Sequence, residues 1–205
     1  IEPEIQSIDE TKLRQCISQP PFADYKIFIE KQLHFKKYIL SEKEERILSL
    51  QMQPAQTPDA AFSVLTNVDI NKTFGTVNVN GKEQQLTETT WSVFLHNQDR
   101  KVREEAYKKF YAKFEEHQNT IAALYAGSVN QDVFQVRARG YDSSLQAALY
   151  GNKVPTSVSH NLIECIHKNL PTLHEYYSIR KKALGVDKLK HYDVYVPLVK
   201  SVETK

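Results

Sequence analysis

Histidines at a regular spacing are the residues of this chain with the clearest potential for metal chemistry. His160, His167 and His174 recur every seven residues, and Glu164 lies between the first two. Glu164 and His167 form an E-x-x-H pair, a spacing that carboxylate-bridged metal sites in helical bundles use. Those sites need a second E-x-x-H pair, which the sequence lacks. We therefore favour the simpler interpretation, a polar strip beside the apolar face of a helix.

A second candidate motif is incomplete. His174 and Glu175 match the start of the zinc motif H-E-x-x-H, in which two imidazoles one helical turn apart hold the metal. Ser178 stands where the second histidine would have to be. The sequence also contains no glycine-rich phosphate loop and no G-x-S-x-G nucleophile motif. We therefore expect no catalytic residue and no metal ligand in this chain, and no zinc bound to the chain alone.

The composition argues against several classes of protein. Among 205 residues, 27 are basic and 25 are acidic, and a net charge of +2 argues against a nucleic-acid partner. A mean hydropathy of −0.52 and the lack of a long apolar run argue against a membrane-spanning helix. No secretory signal is visible, so we expect a cytoplasmic protein without a membrane partner. Two isolated cysteines, Cys16 and Cys165, are then expected to be reduced and buried.

Helical patterns dominate the elements that would position any site, so we predict a mainly α fold with long helices. The spacing of apolar residues after Asp99 predicts one helix that runs to about Arg139 and is roughly 60 Å long. A last long helix begins near Thr156, and Pro171 predicts a kink or a restart within it.

Shorter signals complete the predicted fold. Ser41 and Glu44 fit a capping box at the start of a helix, and residues 53–59, with two prolines, are expected to form a loop. Asn80-Gly81 is the strongest signal for a two-residue β-hairpin, because both turn positions need a positive φ. The return strand is expected at residues 85–87. A single hairpin is marginal in water, so we expect it to pack on helices.

Three stretches of the sequence resemble one family, oligoendopeptidase F, a group of zinc oligopeptidases related to thimet oligopeptidase. The first is Phe62-Ser-Val-Leu-Thr-Asn-Val-Asp69 leading into Phe74-Gly-Thr-Val77, and the second is Asp99-Arg-Lys-Val-Arg-Glu-Glu-Ala-Tyr107. The third runs from Asn169-Leu-Pro-Thr-Leu-His-Glu-Tyr-Tyr177 through Arg180-Lys-Lys-Ala-Leu-Gly185 to Tyr192-Asp-Val-Tyr-Val-Pro-Leu-Val199. The resemblance covers nearly all of the chain.

This resemblance implies a fragment of a larger, mostly helical metallopeptidase that encloses a channel and cleaves short peptides. In that family two histidines of H-E-x-x-H and a later glutamate hold zinc, and the glutamate of the motif activates water. The resemblance implies that these residues, and the zinc, belong to a catalytic segment outside this chain. That segment and short peptides are the implied partners, and the chain alone is expected to be inactive. The alternative is a free-standing helical interaction or adaptor module without catalysis.

With the resemblance, the chain divides into four predicted regions. Residues 1–66 form a helical N-terminal region, 67–88 the hairpin, 89–151 a long-helix segment, and 152–205 the start of the catalytic domain. Several apolar groups are expected to pack against the absent catalytic segment and to be exposed without it: Tyr107, Tyr111, Tyr125, Phe134 and Val136.

The last candidate site lies in the segment from Tyr192 to Val199, which we predict to be an extended strand. Alternation would then place Asp193 and Tyr195 together on the face opposite Val194 and Val196. One interpretation is that these two side chains only satisfy nearby helix ends. The other is that they face the peptide channel, where a phenol and a carboxylate can hold a peptide backbone or its amino terminus.

Overall fold

The structure is a computed structural model that describes residues 2–199. Two short strands, β1 (Thr76–Val79) and β2 (Lys82–Gln85), form an antiparallel sheet, and the chain is otherwise mainly helical, as predicted. Its helices are, in chain order, α1 (Glu2–Ser7), α2 (Glu10–Ile17), α3 (Lys26–Phe35), α4 (Glu42–Ala55), α5 (Thr57–Val64), α6 (Glu88–Leu95), α7 (Arg100–Glu116), α8 (Gln118–Arg139), α9 (Ser144–Tyr150) and α10 (Thr156–Ala183). None of these described helices is long and apolar enough to cross a membrane.

The chain forms two compact units, each assembled from two stretches of sequence. One unit comprises Ile1–Gln56 and Val129–Asn161, and the other comprises Thr57–Ser128 and Leu162–Lys205. Two of the three boundaries between the units fall inside α8 and α10, and the third falls between α4 and α5. The division into 1–66, 67–88, 89–151 and 152–205 stays a prediction. Its residues 1 and 200–205 lie outside the described part of the chain.

In the first unit, a half-buried ion pair and stacked aromatic rings join elements that are distant in sequence. Arg139 at the end of α8 donates to both carboxylate oxygens of Glu45, at 2.7 and 3.0 Å, and to the carbonyl oxygen of Tyr38 at 3.1 Å. Hydrogen bonds from Arg139 lower the pKa of Glu45. The ring of Tyr38 stacks on Tyr141 with centroids 3.7 Å apart. These contacts connect α4 with the end of α8 and the residues that follow it.

The second unit has a hydrophobic core built from the hairpin, α6 and α7. Its buried members are Ile70, Phe74, Val77, Leu86, Phe94, Val102, Ala106 and Phe110. Those on α7 are four residues apart, so they lie on one face of the helix. β1 contributes the fully buried Val77, while β2 is exposed throughout. The hairpin therefore packs on helices, as expected because an isolated hairpin is only marginally stable in water.

Two local predictions, the hairpin turn and the start of α4, are confirmed. Asn80 and Gly81 have φ angles of 53° and 80°, as the predicted hairpin turn needs. Ser41 donates its backbone N–H to Glu44 at 2.9 Å, as expected at the start of α4. The return strand, however, begins directly after the turn at Lys82, so its predicted position at 85–87 is wrong.

The single long helix predicted from Asp99 to Arg139 is wrong. The helix is interrupted at His117, where φ is −110° and ψ is 11°, so that α7 ends and α8 begins. Two glutamates in the last turn of α7 are unfavourable beside the negative end of the helix dipole. The residues that follow, Asn119 and Thr120, are also weak helix formers.

Three further expectations are corrected. Residues 53–59 form no loop: α4 runs to Ala55 and α5 begins at Thr57, because Pro58 falls in a first helical turn where its missing N–H is no loss. α10 passes Pro171 without the predicted restart, while the alternative of a kink stays a prediction. Cys16 and Cys165 are free but exposed, so their predicted burial is wrong.

Candidate functional site

The segment after α10 adopts a compact turn rather than the predicted strand. His191–Asp193 forms one turn of 3-10 helix, and the described chain then continues through bends. The N–H of Asp193 donates to the carbonyl oxygen of Lys190 at 2.9 Å. In return, the carboxylate of Asp193 accepts the N–H of Lys190 at 2.9 Å. Local side-chain bonding of this kind outweighs the alternating apolar pattern, and the strand prediction is therefore wrong.

Asp193 is completely buried, with an exposed fraction of 0%, and its carboxylate is bound by two arginines of α7. Arg103 donates through Nη2 to Oδ1 at 2.9 Å. Arg100 donates through Nε to Oδ1 at 3.0 Å and through Nη2 to Oδ2 at 2.9 Å. With the N–H of Lys190, these bonds satisfy both carboxylate oxygens, which is what a buried charge requires.

Arginines also hold the backbone around Asp193. Arg180, near the end of α10, donates through Nη2 to the carbonyl oxygens of Asp193 and Val196, at 3.0 and 2.6 Å. Arg103 donates through Nε to the carbonyl oxygen of Tyr192 at 3.0 Å. We call Arg100, Arg103, Arg180 and Asp193 the arginine cluster. It joins α7, α10 and residues 190–196 into one rigid corner of the second unit.

Sequence reasoning missed this cluster. Arginines are ordinarily expected at the surface, whereas Arg103 and Arg180 are only 2% and 5% exposed. A signal was present: Arg103 lies beside Val102 on the buried face of α7. An arginine on such a face needs a buried partner, and Asp193, in a mostly apolar segment, was available.

The electrostatics follow from this geometry. Burial alone would raise the pKa of Asp193, but hydrogen bonds from Arg100, from the N–H of Lys190 and from Arg103 lower the pKa to about 2. The same carboxylate raises the pKa of Arg100. Asp193 is therefore a carboxylate at neutral pH, and it is unsuited to act as a general acid.

A pH-dependent loss of stability is the expected consequence. The folded pKa of about 2 lies below the ordinary value of 3.8, so the stabilisation is complete above about pH 4 and is lost as the pH falls through about 2; the difference corresponds to about 2 kcal/mol. The free energy of unfolding of the full-length protein, measured in urea, should fall more steeply between pH 4 and 2 than that of its Asp193→Asn variant. Parallel pH profiles would contradict this account.

Tyr195 lies in a different environment from Asp193, although only one residue separates them. Its side chain is 46% exposed, and its ring neighbours the imidazoles of His96 and His191, with centroids 6.2 and 6.3 Å away. The two predicted channel residues are therefore not presented together. Tyr195 is accessible to a ligand, whereas Asp193 is buried and holds the segment in place through its hydrogen bonds.

The regularly spaced histidines of α10 do not converge on a metal site. His160, His167 and His174 are all exposed, and so is Glu164. Among residues 2–199, no group of three or more histidine, cysteine, aspartate or glutamate side chains is placed to hold a metal ion. The described residues thus do not by themselves fit the zinc site that the resemblance implies.

The face of α10 is instead notable for exposed apolar side chains: Leu162, Ile163, Ile166, Leu173, Tyr176 and Ile179. Of the apolar groups that we expected to be exposed, Tyr125 and Phe134 are exposed, and Val136 is half-buried. Tyr107 and Tyr111 pack on other rings of the second unit instead.

This surface leads to a prediction for the 205-residue chain on its own. We expect the chain to bind a hydrophobic dye and to self-associate, because contiguous exposed apolar surface favours both. Ile166→Glu should reduce dye fluorescence and association, while His167→Glu, which changes an exposed polar neighbour, should not. A monomeric chain without dye binding would contradict the expectation.

Comparison with known proteins identifies the family. The sequence model described as peptidase family M3 matches residues 93–204, more than half of the chain and the whole of α7 and α10. The chain belongs to peptidase family M3. A second model, described as oligopeptidase F, matches residues 4–71 of this M3 chain.

Individual relatives agree with this assignment. The chain is 40% identical over 200 residues to the oligoendopeptidase F homolog of Borreliella burgdorferi, covering 98% of this chain and 33% of the relative. It is 38% identical over 205 residues to oligopeptidase PepF of Bacillus subtilis, covering 99% of this chain and 30% of the relative. The crystal structure of oligoendopeptidase-F from Enterococcus faecium matches with a TM-score of 0.89 and 30% identity, over 98% of this chain and 40% of that one. This M3 chain thus spans about a third of the length of the curated relatives that it matches.

Proposed function

We propose that the protein containing this chain is a zinc-dependent oligoendopeptidase that hydrolyses short peptides. The observation that carries the proposal is the match of peptidase family M3 to residues 93–204. The similarity to an oligoendopeptidase-F structure over 98% of the chain supports it. The relatives' names supply the class of substrate, since an oligoendopeptidase cleaves within short peptides.

Zinc, in this proposal, is held by residues of the remaining part of the protein. The family resemblance implies an H-E-x-x-H motif and a later glutamate as its ligands, and residues 2–199 bring together no comparable set. Bound zinc supplies a Lewis acid and an activated water for hydrolysis. The 205-residue chain contributes no catalytic group, so its role lies in binding and positioning.

The proposed role of this chain is to form a wall of the substrate channel. Within that wall, residues 190–196 present Tyr195 to the peptide. The arginine cluster holds this segment in place through hydrogen bonds to its backbone. A phenol hydroxyl can donate to a peptide carbonyl and accept from a peptide N–H, which suits it to bind an extended backbone. Asp193 acts here as a positioning residue because its carboxylate is enclosed.

The full-length protein tests this role directly. It should hydrolyse quenched fluorescent peptides, and Tyr195→Phe should lower kcat/KM at least tenfold, about 1.4 kcal/mol, because one hydrogen bond to substrate is lost. The melting temperature should not change, since Tyr195 is half exposed and its ring is retained.

Tyr25→Phe is the matched control, because Tyr25 is an exposed tyrosine of the first unit and is not part of the proposed channel segment. This control should leave kcat/KM and melting unchanged. If Tyr195→Phe lowered the melting temperature but not kcat/KM, the channel role would be wrong and a structural role would remain.

A further inference from the structure

Five ring-bearing side chains lie side by side next to the arginine cluster. They are His96 after α6, Tyr107 and Tyr111 on α7, and His191 and Tyr195 in the final segment, and we call them the ring shelf. The ring centroid of Tyr195 lies 6.2 Å from that of His96 and 6.3 Å from that of His191. Tyr107 extends the series, with its centroid 5.5 Å from His191 and 4.5 Å from Tyr111.

Exposure separates three members of the ring shelf from the rings that stabilise the fold, while Tyr107 and Tyr111 are half-buried. In the core of the same unit, Phe74 and Phe110 stack at 4.7 Å and are both buried. His96, His191 and Tyr195 are exposed although their rings lie at contact distances. The shelf therefore keeps aromatic faces available that the folded chain itself does not cover.

The polar atoms of the shelf suit a peptide. His96 donates through Nδ1 to the carbonyl oxygen of Ser92 at 2.7 Å, which leaves its Nε2 as an acceptor. The hydroxyl of Tyr195 can donate or accept. Rings with polar edges are the side chains that protein surfaces use for recognition, because they combine apolar contact with hydrogen bonding at a small cost in conformational entropy.

Rigid support makes the shelf suitable for selecting one side chain over another. Asp193 and Val196 flank the half-exposed Tyr195, and both are buried and held by Arg180 through their carbonyl oxygens. His191 belongs to the same short helical turn as Asp193. Rings fixed in this way lose little freedom when a ligand binds, which favours a defined preference.

We propose that the ring shelf is a substrate subsite that binds an aromatic side chain, that of Phe, Tyr or Trp, of the peptide. The inference rests on the proposed peptidase function and names the residue class that this wall selects. An incoming aromatic ring can pack edge-to-face or offset against Tyr195 and His191, an arrangement that aromatic rings favour over contacts with aliphatic chains of the same area.

The experiment uses the full-length protein and a series of quenched peptides in which a single phenylalanine is moved through an alanine background. In the wild type, at least one position of phenylalanine should raise kcat/KM above that of the all-alanine peptide. His191→Ala and Tyr195→Ala should lower that ratio about tenfold, since each removes one ring contact and loosens the next. Tyr195→Phe should retain the preference, because its ring remains.

Tyr25→Ala serves as the control, and it should leave the ratio unchanged because Tyr25 is an exposed tyrosine of the first unit and is not part of the ring shelf. A preference for phenylalanine that survives His191→Ala and Tyr195→Ala would overturn the subsite. Equal losses on all peptides together with lower melting temperatures would also overturn it, because the rest of the protein would then cover the shelf. If the wild type hydrolysed none of the peptides, the proposed peptidase function itself would fail instead.

Discussion

Asp193→Ala should lower the free energy of unfolding of the full-length protein by about 3–5 kcal/mol, as expected when one partner of a buried ion pair is removed. Arg103 is 2% exposed and would lose the acceptor for its Nη2 group while remaining charged. Arg100 would lose the carboxylate to which it donates three hydrogen bonds, two to Oδ atoms through Nε and one through Nη2.

The matched control is Asp187→Ala, which removes an exposed carboxylate six residues earlier. Its effect should stay within about 0.5 kcal/mol, as for most surface substitutions. Thermal unfolding measures the global loss, and hydrogen exchange followed by mass spectrometry should show faster exchange in residues 97–103 and 190–196. Similar effects of both substitutions would mean that the arginine cluster contributes little to stability.

The Asp193→Asn variant separates the contribution of the negative charge to stability from that of the side-chain shape. The amide keeps nearly the same volume but loses the charge, so it should recover only part of the stability that alanine loses. In peptide hydrolysis, a positioning role predicts that Asp193→Asn raises KM more than it lowers kcat, since the anchored Tyr195 would be displaced rather than removed.

Features that depend on a few neighbouring residues could be predicted from the sequence. The hairpin turn at Asn80-Gly81 follows from the φ angles that the turn requires, and the start of α4 follows from the pairing of Ser41 with Glu44. The mainly α composition follows from apolar spacing. These signals are local, so no knowledge of the rest of the chain is needed to interpret them.

Features that depend on tertiary contacts could not be predicted in this way. The interruption at His117 was missed for a different reason, because the apolar spacing continues through it and outweighs the weak local signals at the end of α7. Arg103 and Asp193 are 90 residues apart in sequence, so the local pattern indicates that Arg103 needs a buried partner but not that the partner is Asp193. Burial of an arginine is favourable only with its partner in place, and the partner is specified by the fold.

In the candidate site, one segment combines a feature that the sequence predicted with one that it did not. The sequence singled out Asp193 and Tyr195 for their chemistry but assumed a strand that would show them on one face. Hydrogen bonding between Asp193 and Lys190 produces a turn instead, which encloses the carboxylate and leaves the phenol exposed. His96 and His191 joined the site only through folding, since they lie on separate elements.

Zinc stoichiometry measured together with peptide hydrolysis tests the central claim most directly. We predict that the full-length protein holds stoichiometric zinc, that a chelator reduces hydrolysis to the background rate, and that added zinc restores it, because the metal supplies the activated water. The 205-residue chain, purified and dialysed in the same way, should hold no stoichiometric zinc and cleave no peptide. Hydrolysis by the full-length protein that persists after zinc removal, or zinc with hydrolysis in the 205-residue chain, would contradict the account.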